Sequence, residues 1–390
     1  MGRTADTGRV FLWVQHLFDA GPLIRVAHLA RYLASRGWDV DLVSGGPPMR
    51  GLDIGGARLH QLPPVRAADA THSRLVYVDG KPLDDSIKAM RRDLLLRLFA
   101  GADPHVLILE HFPFGRRRFQ WELGPTLIAA TKSSMRPAIV SSVREILVER
   151  RPEREADTVA AIEQVFDSVL VHGDPRLIGL ESSFGGVSRI ADKIFYTGYV
   201  GGAASSGKTA PGLGQNEILV SAGSGASGTK LAAAAADAAK TMQYERHWRI
   251  MLDGGAGPRA FRKLRALAPE WVSIEPARPD IRNMLARCAL SVSHADYNTV
   301  VDILAAGARA ILVPSNDHET EQALRAQCLV DRGLAHVVPE ALLTPGRLAS
   351  VVAEAVDAPK SIRKVKIDGE ATTERFLSRF LPMRRAGARQ

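Results

Sequence analysis

The chain has 390 residues, of which 46% are hydrophobic and 24% are charged, as in an ordinary soluble globular protein. This length predicts two or three domains with sizeable cores, and no apolar run approaches the roughly 18 residues that suggest a membrane-spanning helix. The net charge of +9 favours acidic partners, of which nucleic acid is the weakest because no recognised binding module is present, so we expect no nucleic acid.

The sequence predicts a cytoplasmic protein. Polar residues precede the first apolar run, so this run does not resemble a signal peptide. The two cysteines build neither a disulfide framework nor a zinc site, and we expect no metal. The positive charge makes peripheral contact with an anionic membrane, at its inner face, a further expectation.

The first half alternates strand and helix patterns. Residues 9–15 predict a strand, a helix runs from Leu23 to a stop at Gly37, and residues 38–44 predict the next strand. Strand, helix and strand with short links form a βαβ unit, which implies a parallel sheet. Further elements of this half are a basic helix over 84–101 and strands over 105–110, 138–143 and 168–172.

Polar residues follow the buried strand 105–110. Glu110 and His111 together form a plausible acid/base pair at the carboxyl end of that strand, although a loop-anchoring role is about as plausible. Three consecutive arginines, 116–118, could meet phosphates or anionic lipid, but a charge run is more often a solvated face.

A glycine- and serine-rich segment, 201–215, divides the chain. It shows no periodicity, which is typical of a flexible link between domains. We therefore predict an N-terminal Rossmann-like domain over 1–200 and a C-terminal one over 216–370. The last residues, 371–390, predict a basic helix that packs back onto the N-terminal domain. In the alternative, the basic face of this helix binds a membrane surface.

The second half opens with a glycine loop between a strand, 217–222, and an alanine-rich helix from Thr229. Its pattern is G-x-G-x-x-G, whose glycines let backbone N–H groups close on a diphosphate at a helix N-terminus. The candidate ligand-binding residues are Gly223, Ser224, Gly225, Ser227 and Gly228. Asp253, about 25 residues on, keeps a dinucleotide-binding alternative open, whereas the order Thr229-Lys230 is the reverse of that in a P-loop, which we reject.

A second candidate site spans residues 296–322. A short helix over 299–306 is stopped by Gly307, and a buried strand over 310–313 is followed by a polar cluster. Open α/β sheets bind ligands at that end of their strands. The candidates here are Asn298 and Thr299 for a phosphate, Asp302 for a ribose diol, and Glu321 and Gln322 for sugar hydroxyls.

This order of helix acid, glycine, apolar strand, proline and Glu-Gln resembles the donor-sugar motif of GT-B nucleotide-sugar glycosyltransferases. The likeness is to the bacterial N-acetylglucosaminyltransferases of lipid-linked peptidoglycan precursors, with the family 28 C-terminal domain, and to predicted glycosyltransferases grouped with them. The stretches FLWVQHL, SVREIL and VHGDP extend it over nearly the whole chain. It implies two Rossmann-like domains whose parallel sheets face each other across a cleft, the first binding the acceptor and the second binding the donor.

Two departures from the family pattern concern the donor. Asp302 stands where the family has Glu, and Asp296 replaces a glycine near the phosphate. Since a carboxylate would repel a diphosphate, we expect Asp296 to point away. The resemblance also places Arg278, or its neighbour, at the base, and its guanidinium could instead face the diphosphate.

A third departure concerns the general base. The family usually carries Gly-His after the first strand, but this chain has Gly21 followed by Pro22. The candidate bases are therefore His16, Asp19 and Glu110.

The resemblance implies transfer of a hexose or N-acetylhexosamine from a nucleoside diphosphate, with UDP expected, to an acceptor hydroxyl. The acceptor could be either a lipid-linked molecule or a cell-envelope polysaccharide. No cofactor or metal is expected, since backbone dipoles and Arg278 would neutralise the leaving diphosphate. Three alternatives stay open: a nucleotide-sugar epimerase or hydrolase, a non-catalytic nucleotide-sugar-binding partner protein, and an NAD- or FAD-dependent oxidoreductase.

Overall fold

The computed structural model describes residues 7–17, 20–68, 74–147, 152–201, 209–223, 225–242, 246–253, 256–315, 319–359 and 364–381. These residues fall into two compact units. Unit 1 comprises the described residues within Met1–Pro175, Gly179–Gly201 and Asp368–Gln390. Unit 2 comprises those within Arg176–Ile178 and Gly202–Ile367.

Unit 1 is built on a seven-stranded parallel sheet in the order β3-β2-β1-β6-β7-β8-β9, and β4 pairs with β5 in a small antiparallel ribbon. Its strands are β1 (Arg9–Val14), β2 (Asp39–Ser44), β3 (Arg58–Gln61), β4 (Val65–Ala67), β5 (Leu75–Tyr77), β6 (Val106–Glu110), β7 (Ala138–Arg144), β8 (Ser168–His172) and β9 (Ile194–Tyr196). Its helices are α1 (Gly21–Ser35), α2 (Asp85–Ala102), α3 (Gln120–Lys132) and α4 (Pro152–Val165), with a last one given below.

Unit 2 is built on a six-stranded parallel sheet in the order β12-β11-β10-β13-β14-β15. Its strands are β10 (Ile218–Gly223), β11 (Trp248–Leu252), β12 (Val272–Pro276), β13 (Leu290–Ser293), β14 (Ala310–Leu312) and β15 (His336–Val337). Its helices are α5 (Gly225–Thr241), α6 (Gly257–Leu267), α7 (Ile281–Leu285), α8 (Tyr297–Ala306), α9 (Glu319–Val330) and α10 (Pro345–Ala355).

The last helix, α11 (Gly369–Leu377), belongs to unit 1. Phe376 stacks on Phe195 with ring centroids 4.3 Å apart, and the indole N–H of Trp38 donates to Glu374 at 3.5 Å. A Cβ on Gly369 would lie 2.5 Å from the carbonyl oxygen of Tyr199, so only glycine allows this close approach. This helix begins earlier than the sequence predicts, and residues 382–390 of the basic terminal segment lie outside the described residues.

Local chemistry explains several element ends. Pro22 occupies the first turn of α1, where its missing N–H costs nothing. Asp84 caps α2 by accepting from the N–H of Ile87 at 2.9 Å. Gly307 ends α8 in the left-handed conformation at φ 61°. The predicted parallel α/β class is therefore confirmed in both units.

A buried ion pair ties α2 and α3 to the sheet of unit 1. Arg91 and Glu122 both have fully buried side chains, and two Arg91 nitrogens donate to the Glu122 carboxylate at 2.8 Å. Arg91 also donates to Gln15 Oε1 at 3.0 Å and to the carbonyl oxygens of Gly45 and Pro63 at 2.9 and 2.6 Å. All five guanidinium N–H groups thus have acceptors, as a buried arginine requires.

Candidate functional site

The topology of unit 2 places a crevice between β10 and β13. β10 pairs with β11 on one side and with β13 on the other, with Ser221 opposite Ser293 in the second pair. The chain therefore leaves these two neighbouring strands towards different helices, α5 and α8, from the same edge of the sheet. Such a switch point is where open α/β sheets bind ligands.

The glycine loop lies at one side of this crevice. Gly223 and Gly225 have φ values of 70° and 75°, which side chains with a Cβ rarely adopt. A Cβ on Gly228 would lie 2.5 Å from the carbonyl oxygen of Ala222, so this glycine lets α5 approach β10. The helix starts at Gly225, earlier than predicted, and Ser224 lies outside the described residues.

Replacing Gly228 with alanine should displace the first turn of α5. The added methyl group would overlap the Ala222 carbonyl. Since the sequence predicts a diphosphate at this loop, we expect the affinity for a nucleoside diphosphate, with UDP as the probe, to fall by at least about tenfold. Isothermal titration calorimetry checks this result. Gly346→Ala in α10 is the matched control, because a Cβ there meets no atom within 4 Å. Equal affinities of the two variants would contradict the assigned role of Gly228.

His294 lies beside the glycine loop and was not a sequence candidate. It directly follows β13 and is only 8% exposed. Its Nδ1 lies 2.7 Å from the carbonyl oxygen of Val313, which can only accept, so Nδ1 carries the hydrogen. Its Nε2 then faces Ser227 Oγ at 3.5 Å. A histidine directly after a buried strand at the switch point is the signal that could have identified it.

Asn298 and Thr299 lie in the first turn of α8, as the sequence predicts, and their phosphate-binding role stays a prediction. Asp296 is the N-cap residue, and its carboxylate accepts from the N–H of Thr299 at 3.1 Å. The Asp296 side chain thus folds onto the end of its own helix. Because this N–H already has an acceptor and the cap is negative, the α8 terminus is a poorer phosphate site than the α5 terminus.

Asp302 lies one turn further along α8 and is paired with an arginine from α7. Arg282 donates to Asp302 Oδ1 through Nε at 2.9 Å and through Nη2. Burial raises the pKa of the Asp302 carboxyl, which Asp296 raises further and Arg282 opposes. Oδ1 is occupied by the arginine, so a ribose diol would bind Oδ2. Arg282, which the sequence did not single out, fixes the carboxylate orientation.

Glu321 and Gln322 in α9 tie this helix to the loop between β13 and α8. Gln322 is 6% exposed, and its Oε1 accepts from the backbone N–H groups of Ala295 at 3.2 Å and of Ser315 at 3.0 Å. Glu321 pairs at 2.7 Å with Arg325, which donates to the Ala295 carbonyl at 2.8 Å. Both predicted sugar-binding residues therefore hold α9 against this loop. Because Gln322 Oε1 already accepts two hydrogen bonds, the amide nitrogen of Gln322 is the group that could donate to a sugar.

Arg278 follows β12, two strands away from β10. It makes a bidentate pair with Asp280 at 2.9 and 3.0 Å, which raises the pKa of Arg278 and lowers that of Asp280. The guanidinium charge is thus balanced within its own loop. The expected role of Arg278 in neutralising a leaving diphosphate is not favoured by this arrangement and stays a prediction.

In unit 1, Glu110 belongs to an interior network. It is 2% exposed, Arg25 in α1 donates to its Oε1, and Ser142 donates to its Oε2 at 2.6 Å. Ser142 Oγ also lies 3.0 Å from His172 Nε2, and His172 Nδ1 lies 2.9 Å from Thr197 Oγ1. A general base must reach the proton that it removes, and Glu110 is enclosed here. The geometry favours a structural role over the predicted base role.

The two other candidate bases follow β1. His16 is 5% exposed and packs against Gly46, where a Cβ would lie 2.4 Å from its Cε1. Asp19 lies outside the described residues. Both therefore stay predictions.

His172 gives unit 1 a pH-dependent stability. Burial, with a smaller effect of Arg25, lowers its pKa to about 3. The unfolded chain binds a proton here below about pH 6.5, whereas the folded chain does not until about pH 3, so stability is full above pH 6.5 and falls with acidification. Between pH 7.5 and 5 we expect a loss of about 2 kcal/mol from this residue.

Hydrogen exchange of the β7 and β8 amides at both pH values checks this result. His172→Gln should abolish the pH-dependent loss of stability. His28 is a half-buried histidine of the same unit, and His28→Gln should leave that loss unchanged. If His172→Gln lost as much stability between pH 7.5 and 5 as the wild type, His172 would not be the origin of the pH dependence.

Within the described ranges, no group of three or more His, Cys, Asp or Glu side chains could hold a metal ion. No described helix is both long and apolar enough to span a membrane.

Residues 218–376 match the model of the glycosyltransferase family 28 C-terminal domain. The enzyme UDP-N-acetylglucosamine–N-acetylmuramyl-(pentapeptide) pyrophosphoryl-undecaprenol N-acetylglucosamine transferase of Corynebacterium efficiens is 32% identical over 105 residues, which are 27% of this chain and 29% of that protein. The enzyme of the same name from Lactiplantibacillus plantarum is 37% identical over 91 residues, which are 22% of this chain and 24% of that protein. The chain thus spans less than a third of the length of these relatives.

Solved structures resemble nearly the whole chain. The calicheamicin glycosyltransferase CalG4 has a TM-score of 0.59 at 15% identity, over 96% of this chain and 94% of that one. MurG of Acinetobacter baumannii has a TM-score of 0.57 at 15% identity, over 95% and 99%. The glycotransferase of kitacinnamycin has a TM-score of 0.62 at 16% identity, over 96% and 100%. The predicted GT-B fold class and the resemblance to GT-B glycosyltransferases are confirmed.

Proposed function

We propose that this chain, with its family 28 C-terminal domain match and GT-B fold, is a glycosyltransferase. It would move a hexose or N-acetylhexosamine from a nucleoside diphosphate sugar to an acceptor hydroxyl, with UDP as the expected nucleotide. The observation that carries the proposal is the crevice between β10 and β13, where the glycine loop, His294 and Asp302 lie within the matched residues 218–376. The curated relatives bear the name of a UDP-N-acetylglucosamine transferase, which supports UDP.

In the proposed mechanism, the diphosphate binds at the N-terminus of α5. Backbone N–H groups of the loop from Gly223 to Gly228 and the helix dipole stabilise the charge that develops when the bond to the sugar breaks. His294, whose Nδ1 donates to the Val313 carbonyl, places its Nε2 beside Ser227 of this loop. These groups supply the stabilisation without a metal.

The nucleoside would be held by α8 and the sugar by α9. Asp302 Oδ2 would accept from both ribose hydroxyls, and Arg282 holds the carboxylate in place. Glu321 and the Gln322 amide would contact the sugar, at the loop that both residues anchor. The acceptor would bind to unit 1, where His16 and Asp19 are the remaining candidates for the base. Lipid-linked and polysaccharide hydroxyls are both compatible with this scheme.

The location of the enzyme follows from such an acceptor. A lipid-linked acceptor would bring a cytoplasmic enzyme into peripheral contact with the inner face of an anionic membrane. The net charge of +9 supports that contact.

One observation favours a second candidate function. Glu110 is enclosed by Arg25 and Ser142, and the family histidine is replaced by Pro22, so a nucleotide-sugar-binding partner protein without turnover is the runner-up. Such a protein would use the same donor site.

A thermal-shift screen with UDP-, GDP- and dTDP-sugars tests the proposal, followed by product analysis with and without candidate acceptors. We expect stabilisation by UDP-sugars and acceptor-dependent release of UDP. Stabilisation without turnover would favour the binding protein, and conversion of the donor alone would favour an epimerase or hydrolase. No shift with any nucleotide sugar would contradict the proposal.

A further inference from the structure

Asp296 places a carboxylate in the crevice where the donor is proposed to bind. It caps α8 with its side chain on the N–H of Thr299. It comes two residues after His294, whose ring faces Ser227 and approaches Gly223 of the glycine loop. Consecutive Cα atoms are about 3.8 Å apart, so the cap lies within about 8 Å of the His294 Cα. The Asp296 cap and the residue that faces the glycine loop therefore belong to the same short segment after β13.

Among the described residues, one arginine of α7 and one arginine of α9 are each already paired with another carboxylate. Arg282 is bonded to Asp302, and Arg325 is bonded to Glu321 and to the carbonyl of Ala295. Each cation thus already has a carboxylate partner. The Asp296 charge also raises the pKa of Asp302, which lies on the same helix.

Substrate and product of the proposed transfer differ in charge. The acceptor oxygen forms a bond to the anomeric carbon, the bond from that carbon to the diphosphate breaks, and its electron pair stays on the terminal phosphate. The acceptor proton goes to the base. The released nucleoside diphosphate has a terminal phosphate with a further ionisation at a pKa of about 6, as in a phosphate monoester, and so gains nearly one negative charge at pH 8.

We infer that Asp296 is a specificity-determining residue that weakens binding of the nucleoside diphosphate product relative to the nucleotide-sugar substrate. This inference rests on the proposed function. A carboxylate repels the more highly charged product more strongly, which limits product inhibition and favours release. The negative cap also leaves α5 as the helix end that holds the diphosphate.

Asp296→Ser tests the inference, because serine keeps an N-cap acceptor while it removes the charge. Calorimetry at pH 8 would measure the dissociation constants of uridine, UDP and the UDP-sugar that gives the largest thermal shift. We expect affinity for UDP to rise about tenfold, affinity for the UDP-sugar to rise about threefold, and affinity for uridine to stay unchanged. The gains should shrink in 0.5 M salt, and the inhibition constant of UDP should fall with its dissociation constant.

Asp84→Ser is the matched control, since Asp84 caps α2 in unit 1 with the same geometry. It should leave all three affinities unchanged. Asp296→Asn, which also removes the charge and can cap, should reproduce Asp296→Ser if the latter is poorly folded.

The outcomes separate the inference from the proposed function. Equal gains for UDP and the UDP-sugar, no gain, or weaker UDP binding would overturn the inference while nucleotide-sugar binding by the wild type stands. Absence of binding of UDP and UDP-sugars to wild type and variant alike would overturn both.

Discussion

Asp302→Ala should lower the affinity for UDP and UDP-sugars by at least about 100-fold. The carboxylate is proposed to accept from both ribose hydroxyls, and hydrogen bonds to a charged group contribute about 1.5–3 kcal/mol each. The variant also leaves Arg282, whose side chain is only 14% exposed, without the carboxylate that it now contacts. Calorimetric titration at pH 7.5 would measure the loss.

Three further variants make this result specific to ribose recognition. Asp302→Asn keeps the shape of the side chain but removes its charge, so its affinity for UDP and UDP-sugars should lie between those of the wild type and Asp302→Ala. Arg282→Lys should weaken binding through the orientation of Asp302. Asp237→Ala, on the exposed face of α5 and paired there with Lys240, should have no effect. Unchanged affinity in Asp302→Ala would place the nucleoside elsewhere.

Glu122→Ala should lower the free energy of unfolding of unit 1 by about 3–5 kcal/mol, because it leaves a fully buried charge on Arg91. Hydrogen exchange of the amides in β1 and β6 would follow this loss. This readout is preferable to a single denaturation curve, since a chain with two compact units need not unfold in one step.

Two controls define the origin of that effect. Asp85→Ala breaks an exposed pair with Lys88 on the same helix and should cost less than about 1 kcal/mol. The double variant Arg91→Met, Glu122→Leu removes both charges and should recover part of the stability, because Gln15 and the carbonyls of Gly45 and Pro63 then lose the donors of Arg91. A loss below about 1 kcal/mol in Glu122→Ala would mean that water or a new partner reaches Arg91.

The sequence predicted α1, α2, α5 and α8 and the strands next to them, with errors at their ends, but it did not predict α3, α4, α6, α7 or α9. Alternating apolar strands and amphipathic helices carry this information locally, and Gly223, Gly225 and Gly228 indicated the diphosphate loop. The spacing of the motif around Gly307 singled out Asp302 and Gln322 as candidates, and their binding roles stay predictions. Boundaries were less reliable, as the start of α5 at Gly225 shows, because the first turn of a helix has little periodicity.

The sequence by itself therefore determined the two parallel α/β units and the edge of each sheet where polar residues gather. The tertiary structure decided which of these residues are available to a ligand. It pairs Arg282 with Asp302, encloses Glu110 against Arg25, and turns Asp296 onto its own helix. Periodicity and turn chemistry depend on neighbours along the chain, whereas charge pairing and burial depend on residues that only packing brings together.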